Sequence, residues 1–532
     1  MVNKPQINTN SALNKHPFHA IYRRLCLLII AAFVSSCSST LPIIPKVPSY
    51  TLQTVSQTPL AKHYKQEIDR HKNLSGFVLL GSGLDAFAAR TALFDKAEKS
   101  IDVQYYLVRH DLTGHLFYQS LHKAADRGVR VRILLDDQYL SKQTAKLAAL
   151  ALHPNIHIRV FNPYSRKAPR LLQYVFRLGE ITRRMHNKSV IIDNTITLLG
   201  SRNIGNEYSQ ARSKLVFSGM ETLAIGPIVN DISASFDRFW NFPKTVNISQ
   251  LSGPGRYDPH QAIKRYAKDP LAIAFSNALK TSPLVKQIEQ NTLPFRWAKA
   301  KLIDDAPTKI NQPRNHHGQF LNGTEFQPYI QNTDREVLIL TPYFIPAKEG
   351  IRFFKQLRDR HIEVSVLTNS YASTDVELVN AHYNKYRKDL LRMGVNLYEF
   401  KSNNGSINLL KRARRRMKKT TPPNVRAGLH AKIFSFDQRN LYIGSMNLDP
   451  RSLYENTEIG VMISSPEITH TITQWFDENL DELAYHLRLH NNKIVWDDYS
   501  GPKKTYTVEP DIALSQRLFM NLLRAIPIES QI

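Results

Sequence analysis

The chain has 532 residues, 42% of them hydrophobic and 10% aromatic, with a formal charge of +26. This balance excludes a disordered or collagen-like polypeptide and supplies apolar material for one large core or two. The positive excess favours anionic partners, either phospholipid surfaces or nucleic acid, without separating the two.

In chain order, Lys15, Arg23 and Arg24 precede the apolar run Leu25 to Val34, and Ser35 and Ser36 lead into Cys37. A positive region, a short apolar region and small residues are the order of an export signal. The run falls short of the roughly 20 apolar residues that cross a bilayer. Val34-Ser35-Ser36-Cys37 resembles a bacterial lipobox, which would make Cys37 the lipidated first residue. The alternative is an uncleaved anchor with an incidental Cys37. Cleavage removes four basic residues and no acidic one, leaving +22. The second cysteine, Cys26, lies inside the signal, so neither an internal disulfide nor a cysteine metal site is available.

After residues 1–37, the proline-containing stretch from Leu41 to Pro48 reads as an extended tether within 38–72, with order expected near residue 60. Helix-like Leu84 to Glu98, strand-like Ile101 to Tyr106, helix-like Gly114 to Arg127 and strand-like Val129 to Leu135 follow. The order returns as strand Val337 to Leu340, helix Gly350 to Arg360 and strand Glu363 to Leu367. This alternation predicts an α/β fold of two tandem sandwich domains, 73–245 and 316–490. Residues 246–315 match neither repeat, but Asn291 to Lys299 is too apolar for a simple linker and is expected to pack against the domains. Within the tail 491–532, Leu514, Leu518, Phe519, Leu522, Leu523 and Ile526 have helical spacing, suited equally to a membrane interface or to capping a core.

The repeat is strongest at Met185-His186-Asn187-Lys188, ending in Asp193, and Leu429-His430-Ala431-Lys432, ending in Asp437. Gly200-Ser201 and Gly444-Ser445 lie 14 residues after each His, and Asn203 and Asn447 lie 17 after, all at a constant offset of 244. In a strand, residues two apart share a face, so each His projects beside its Lys. Histidine can attack phosphorus or exchange protons near neutral pH, while Lys, Asn and Ser donors hold phosphate oxygens. One such triplet would be a modest coincidence; two in register are not. The parity of Asp193 and Asp437 places them off the reacting face and favours a structural role.

Each imidazole needs a carboxylate to fix its tautomer. Glu458 opens an apolar strand 28 residues after His430, and Glu221 opens a similar run 35 residues after His186. Glu207 is the competing candidate in the first repeat and also reads as a surface or helix-start residue. Arg166, Lys167, Arg170 and Arg177 precede the first motif and the basic run Lys411 to Lys419 the second. They could dock anionic headgroups, or be solvated charge runs.

These motifs resemble the phospholipase D superfamily. With Ser165 to Asp193, Gly444 to Ser452, Leu84 to Arg90, Asp102 to Tyr106 and Leu367 to Ser370, the similarity is to bacterial cardiolipin synthases, those of the C type in particular, over about residues 75 to 500. The resemblance implies one active site between two domains, with catalytic residues drawn from His186, Lys188, Asp193, His430, Lys432 and Asp437. It further implies His186 as nucleophile, His430 as acid and then base, and a phosphohistidine that transfers a phosphatidyl group with no cofactor or metal. Ser201, Asn203, Ser445 and Asn447, with Glu221 and Glu458, would support the phosphate and the histidines. Expected substrates are phosphatidylglycerol and, as a further candidate, phosphatidylethanolamine, at a membrane surface, with no nucleic acid and an accessory protein left open. Expected location is the bacterial envelope, lipid-anchored on the periplasmic side. The alternatives are a hydrolytic phospholipase D, an exported nuclease, or a non-catalytic lipid-anchored scaffold.

Overall fold

The structure is a computed structural model and describes residues 45–166, 169–170, 173, 179–211, 213–312, 325–402, 425–526 and 528–531. The export-signal region with Cys37, and Lys167, Arg177 and the run Lys411 to Lys419, lie outside these residues. Among the described residues no helix is long and apolar enough to cross a membrane. The chain divides into two compact units, residues 1–42 with 164–181, and 43–163 with 182–532. In the first, the Gln173 side chain accepts from the Ser165 N–H and donates to its carbonyl, both at 2.9 Å. Both His-x-Lys motifs lie in the second.

The first repeat forms a mixed sheet in the order Thr245–Asn247, Ile156–Phe161, Arg130–Asp136, Ser100–Tyr105, Ser189–Ile192, Ile196–Gly200, Glu221–Ile225 and Ser75–Leu80. The second repeats this order: Ala484–His490, Asn396–Phe400, Glu363–Asn369, Glu336–Leu340, Ile433–Phe436, Asn440–Gly444, Ile459–Ser464 and Arg296–Asp304. The strand Arg296–Asp304 is thus the counterpart of Ser75–Leu80, and part of the connecting segment belongs to the second repeat. These two strands also pair with each other, Ser75 opposite Ala298, making the two sheets continuous.

The parallel strands are buried on both faces, and the polar residues they carry in the first repeat pair there, Arg132 donating to Asp102 at 2.6 and 2.7 Å. Helices Ile228–Trp240 and Pro466–Leu483 contribute Ile232, Phe236, Phe239, Ile472 and Phe476 to one core that includes Ile191 and Leu199 of the first sheet and Ile433 and Ile443 of the second. Elsewhere in the connecting segment, Pro270–Lys280 sets Phe275 against Phe87, and Ser282 donates to Asp85 at 2.9 Å. Pro270 to Ser282 therefore packs on the first repeat.

The expected tether behaves differently. Residues 45–51 are extended, but their backbone is docked: Arg159 donates to the Val47 carbonyl at 2.9 Å, Arg132 to that of Ser49 at 2.8 Å, and the Thr51 N–H to Asp237 at 2.8 Å. Order therefore begins before residue 60, because charged side chains of the first repeat satisfy this backbone. Helix Pro59–Arg70, capped by Thr58, follows within the same stretch.

Candidate active site

Both His-x-Lys triplets lie in extended backbone just ahead of a strand, not inside it: Ser189–Ile192 and Ile433–Phe436 start one residue after each Lys. Each triplet is held by the opposite repeat. The His186 N–H donates to the Thr457 carbonyl at 2.9 Å, and the His430 N–H to that of Ser218 at 2.7 Å. A parallel ladder of Leu215–Ser218 with Arg426–Leu429 ties the second approach. On the first, the Asp136 carboxylate accepts from the Met185 N–H at 2.9 Å. Both lysines are buried and reach back to their own histidine's carbonyl, Lys188 at 2.6 Å and Lys432 at 3.0 Å.

The two imidazoles have different surroundings. His186 Nδ1 stands 2.8 Å and 3.1 Å from the Glu458 carboxylate oxygens, and Ser445 donates to the same carboxylate at 2.5 Å. His430 faces cations: Lys432 Nζ lies 3.2 Å from its Nδ1. Tyr106 meets His186 edge-on with ring centroids 5.0 Å apart, and Tyr208 does the same for His430 at 5.0 Å. Sequence reasoning had not singled out these walls as site residues; Tyr106 follows a strand in a segment already noted, while Tyr208 had no separate signal.

The expectation of one glutamate behind each histidine is corrected here. Glu458 serves His186 across the repeats, not His430. Glu221 serves neither and pairs with Arg90 and Arg202 in a buried cluster. Strand register explains the difference. Gly200 pairs with Glu221 while its counterpart Gly444 pairs with Gly460, so Glu221 corresponds to Gly460. The residue equivalent to Glu458 is then Gly219, which has no side chain to offer. A Cβ there would meet the Ser201 Oγ at 2.8 Å and the Arg202 Cγ at 2.9 Å, so the Arg202 side chain fills the space a carboxylate would need. Glu207 instead pairs with Arg109 at 2.8 Å, on the short helix Asn206–Ser209.

Ser445 and Ser201 play parallel backbone roles, accepting from Ile459 and Met220 N–H at 3.0 Å each. Asn203 and Asn447 are buried with amide oxygens that have no protein partner. These oxygens are open to a donor, while a phosphate oxygen could be bonded only by the N–H groups of the same amides. Asp193 and Asp437, counted in the sequence among the candidate catalytic residues, bond backbone and not the histidines, in turns that follow the strands. Asp193 accepts from the N–H groups of Glu98, Lys99 and Ser100, and Asp437 from those of Asp334, Arg335 and Glu336, at 2.8 to 3.0 Å. Each fixes the start of the neighbouring strand.

Electrostatics follow from burial. Desolvation, then Lys188, Lys432 and Arg451, hold His186 well below the ordinary imidazole range; desolvation, then Lys432, Lys188, His186 and Arg202, do the same to His430. Burial lowers the Lys432 ammonium to about 7 and raises the Glu458 carboxyl to about 7, against the pull of Lys188. Both lysines act on both histidines, so the two triplets form one electrostatic site. An anionic diester entering it would neutralise this cationic excess.

Fold and site together define a duplicated enzyme of phosphodiester chemistry. The chain belongs to the phospholipase D-like family described as cardiolipin synthase, PLD-like domain, which matches residues 91–240 and 327–480. It is 34% identical over 465 residues to cardiolipin synthase C of Escherichia coli K12, covering 86% of this chain and 97% of that protein. An uncharacterized protein of Helicobacter pylori 26695 is 30% identical over 477 residues, covering 88% and 92%. Among solved structures, phosphatidylserine synthase of Haemophilus influenzae Rd KW20 shares the fold, with a TM-score of 0.54 at 12% identity, covering 88% of this chain and all of that one.

Proposed function

We propose that the chain is a phosphatidyltransferase of the cardiolipin synthase kind, acting on phospholipid phosphodiesters at the bacterial cell envelope. The observation that carries the assignment of roles is the single carboxylate. Glu458 keeps a proton on His186 Nδ1, leaving the Nε2 lone pair free to attack phosphorus, and stabilises the positive charge the ring acquires. Among the described residues no carboxylate is bonded to His430, which sits among cations, so it binds a proton weakly and yields it readily once the anionic diester allows it to be protonated.

In the first step His186 Nε2 bonds to phosphorus, the bond from phosphorus to the leaving alcohol's oxygen breaks, and His430 protonates that oxygen. In the second step His430 removes the proton of an acceptor hydroxyl, its oxygen bonds to phosphorus, and the phosphorus–nitrogen bond breaks. Lys188, Lys432, Asn203 and Asn447 hold the non-bridging oxygens as charge develops. The covalent adduct conserves the diester's bond energy, so transfer between lipid alcohols needs no nucleotide.

Phosphatidylglycerol as donor and a second phospholipid as acceptor are the substrates this reading assigns, and the export-signal pattern and Cys37 support placement on the periplasmic side. Mass spectrometry of lipids from cells expressing the chain should show a rise in cardiolipin absent with His186→Ala. No His186-dependent rise contradicts the synthase reading. Phosphatidic acid in its place, diverted to a new ester by a short alcohol, assigns the same intermediate to hydrolysis.

A further inference from the structure

The C-terminal helix Leu514–Arg524 carries apolar side chains on two sides, and only one is used by the fold. Met520 and Leu523 pack on Tyr371, Ala381 and Ile512. Leu514, Leu518 and Leu522 face outward at 69%, 63% and 65% exposure, with Phe519 at 46% beside them. At 100° per residue these four span an arc of about 140°. Arg517 and Arg524 lie together along one edge of it, Arg517 donating to the Glu509 and Ile512 carbonyls at 3.1 and 3.3 Å, on a chain with a formal charge of +26. An exposed apolar arc, interrupted by Ser515 and bordered along one edge by arginine, is the composition of a helix lying in a membrane interface.

The helix also borders a groove of about 860 Å³ lined by Phe519, Leu523, Leu215, Tyr371, Asp375 and Arg426. Leu215 and Arg426 begin the paired strands that end at Ser218 and Leu429, beside His430. Four residues separate Arg426 from His430, which places the groove roughly 13 Å from that histidine. At the groove wall, Asp375 accepts from the Tyr343 hydroxyl at 2.9 Å and acts electrostatically on Lys432.

We infer that the exposed face of Leu514–Arg524 docks on an anionic phospholipid bilayer and holds the groove mouth at the headgroup layer, so that lipid reaches the His186–His430 site without leaving the membrane. This rests on the phospholipid reading above. A bilayer, and not a second copy of the chain, is the occupant that fits, because the face continues into a groove leading to a phosphodiester site. An interfacial helix sinks about 5–10 Å, which brings the groove to headgroup depth.

The test uses the full chain with Phe519→Trp on phosphatidylglycerol/phosphatidylcholine vesicles carrying brominated acyl chains, corrected for the wild type's own four tryptophans. The added emission should shift blue and be quenched by the bromines. Emission that stays aqueous and unquenched overturns the inference, as does unquenched emission accompanied by concentration-dependent dimerisation. A Leu518→Gln/Leu522→Gln variant should lose at least about tenfold of its activity on vesicles while staying within about twofold of wild type on monomeric short-chain phosphatidylglycerol; equal loss on both, or none on vesicles, also overturns it. Quenching in a chain that turns over no phospholipid supports docking while removing the catalytic reading, so the two failures are separable.

Discussion

Replacing Glu458 by Gln removes the negative charge from His186 Nδ1 with almost no change of volume. The carboxylate oxygen lies 2.8 Å from Nδ1 and also accepts from Ser445. A glutamine can offer either its oxygen or its NH2 group. With Ser445 donating to the oxygen, the NH2 is left to face the ring, and it drives the proton to Nε2, where the lone pair is required. An Asp-to-Asn change in the catalytic triad inverts a histidine tautomer in this way and costs about 10⁴-fold. The same inversion here should cost about 10³ to 10⁴-fold in kcat, equivalent to about 4 to 5.5 kcal/mol of barrier. Stability should not fall, since burial already holds this carboxyl at about 7 and its charge is costly. The assay is the initial rate of transfer from short-chain phosphatidylglycerol, with thermal melting as control. Activity within tenfold of wild type, in a variant that melts normally while His186→Ala is inactive, refutes the assignment of Glu458.

Glu221→Gln should act oppositely. It leaves Arg90 buried without its charge partner, costing about 3–5 kcal/mol of stability, a loss read as a lower Tm, while the folded fraction keeps its kcat. A normal Tm with activity as low as that of Glu458→Gln would restore Glu221 to the histidines. For pH dependence, Glu458 at about 7 must be ionised to hold the Nδ1 proton, and Lys432 at about 7 must be protonated to hold phosphate. The profile of kcat/KM should therefore be a narrow bell, falling on both sides of about pH 7, with apparent constants belonging to the coupled site. Lys432→Arg, which stays protonated, should remove the alkaline limb; a flat profile contradicts this. Asp437→Asn should lower Tm and leave kcat within about threefold. Burial would raise this carboxyl, but three backbone donors outweigh it and lower it overall. Its contribution is thus present at neutral pH and lost as pH falls through the depressed value, so the variant's deficit should shrink in acid.

The paired histidines, lysines, serines and asparagines were legible because the chain states them twice at one offset, and covalent spacing survives folding. The strand and helix order was legible from apolar periodicity, with boundaries shifted by one to three residues; the helix Ala347–Asp359 starts three residues before Gly350. The glutamates were not legible from spacing. Strand context aligned Glu221 with Glu458, against a seven-residue difference in spacing, because each opens an apolar run, whereas hydrogen-bond register aligns Gly219 with Glu458. A two-residue slip keeps side-chain parity, so no pattern of hydrophobicity could reveal it. Nor could one repeat's sequence show that its histidine takes a carboxylate from the other. The strand Arg296–Asp304 was missed for a related reason: its counterpart Ser75–Leu80 shares its position in the sheet and not its sequence. The docked segment 45–51 was read from its prolines as a tether, while the buried arginines that bind its backbone lie some 80 to 110 residues further on.

The central claim is that His186 carries the phosphatidyl group and His430 the proton. Mass spectrometric mapping of the chain quenched during turnover tests it directly, in wild type, His186→Ala and His430→Ala. The account predicts a phosphatidyl adduct on the His186 peptide, increased in His430→Ala when a donor with an activated leaving group is supplied, and absent in His186→Ala. An adduct on His430, or turnover in His186→Ala at wild-type rate, would contradict it.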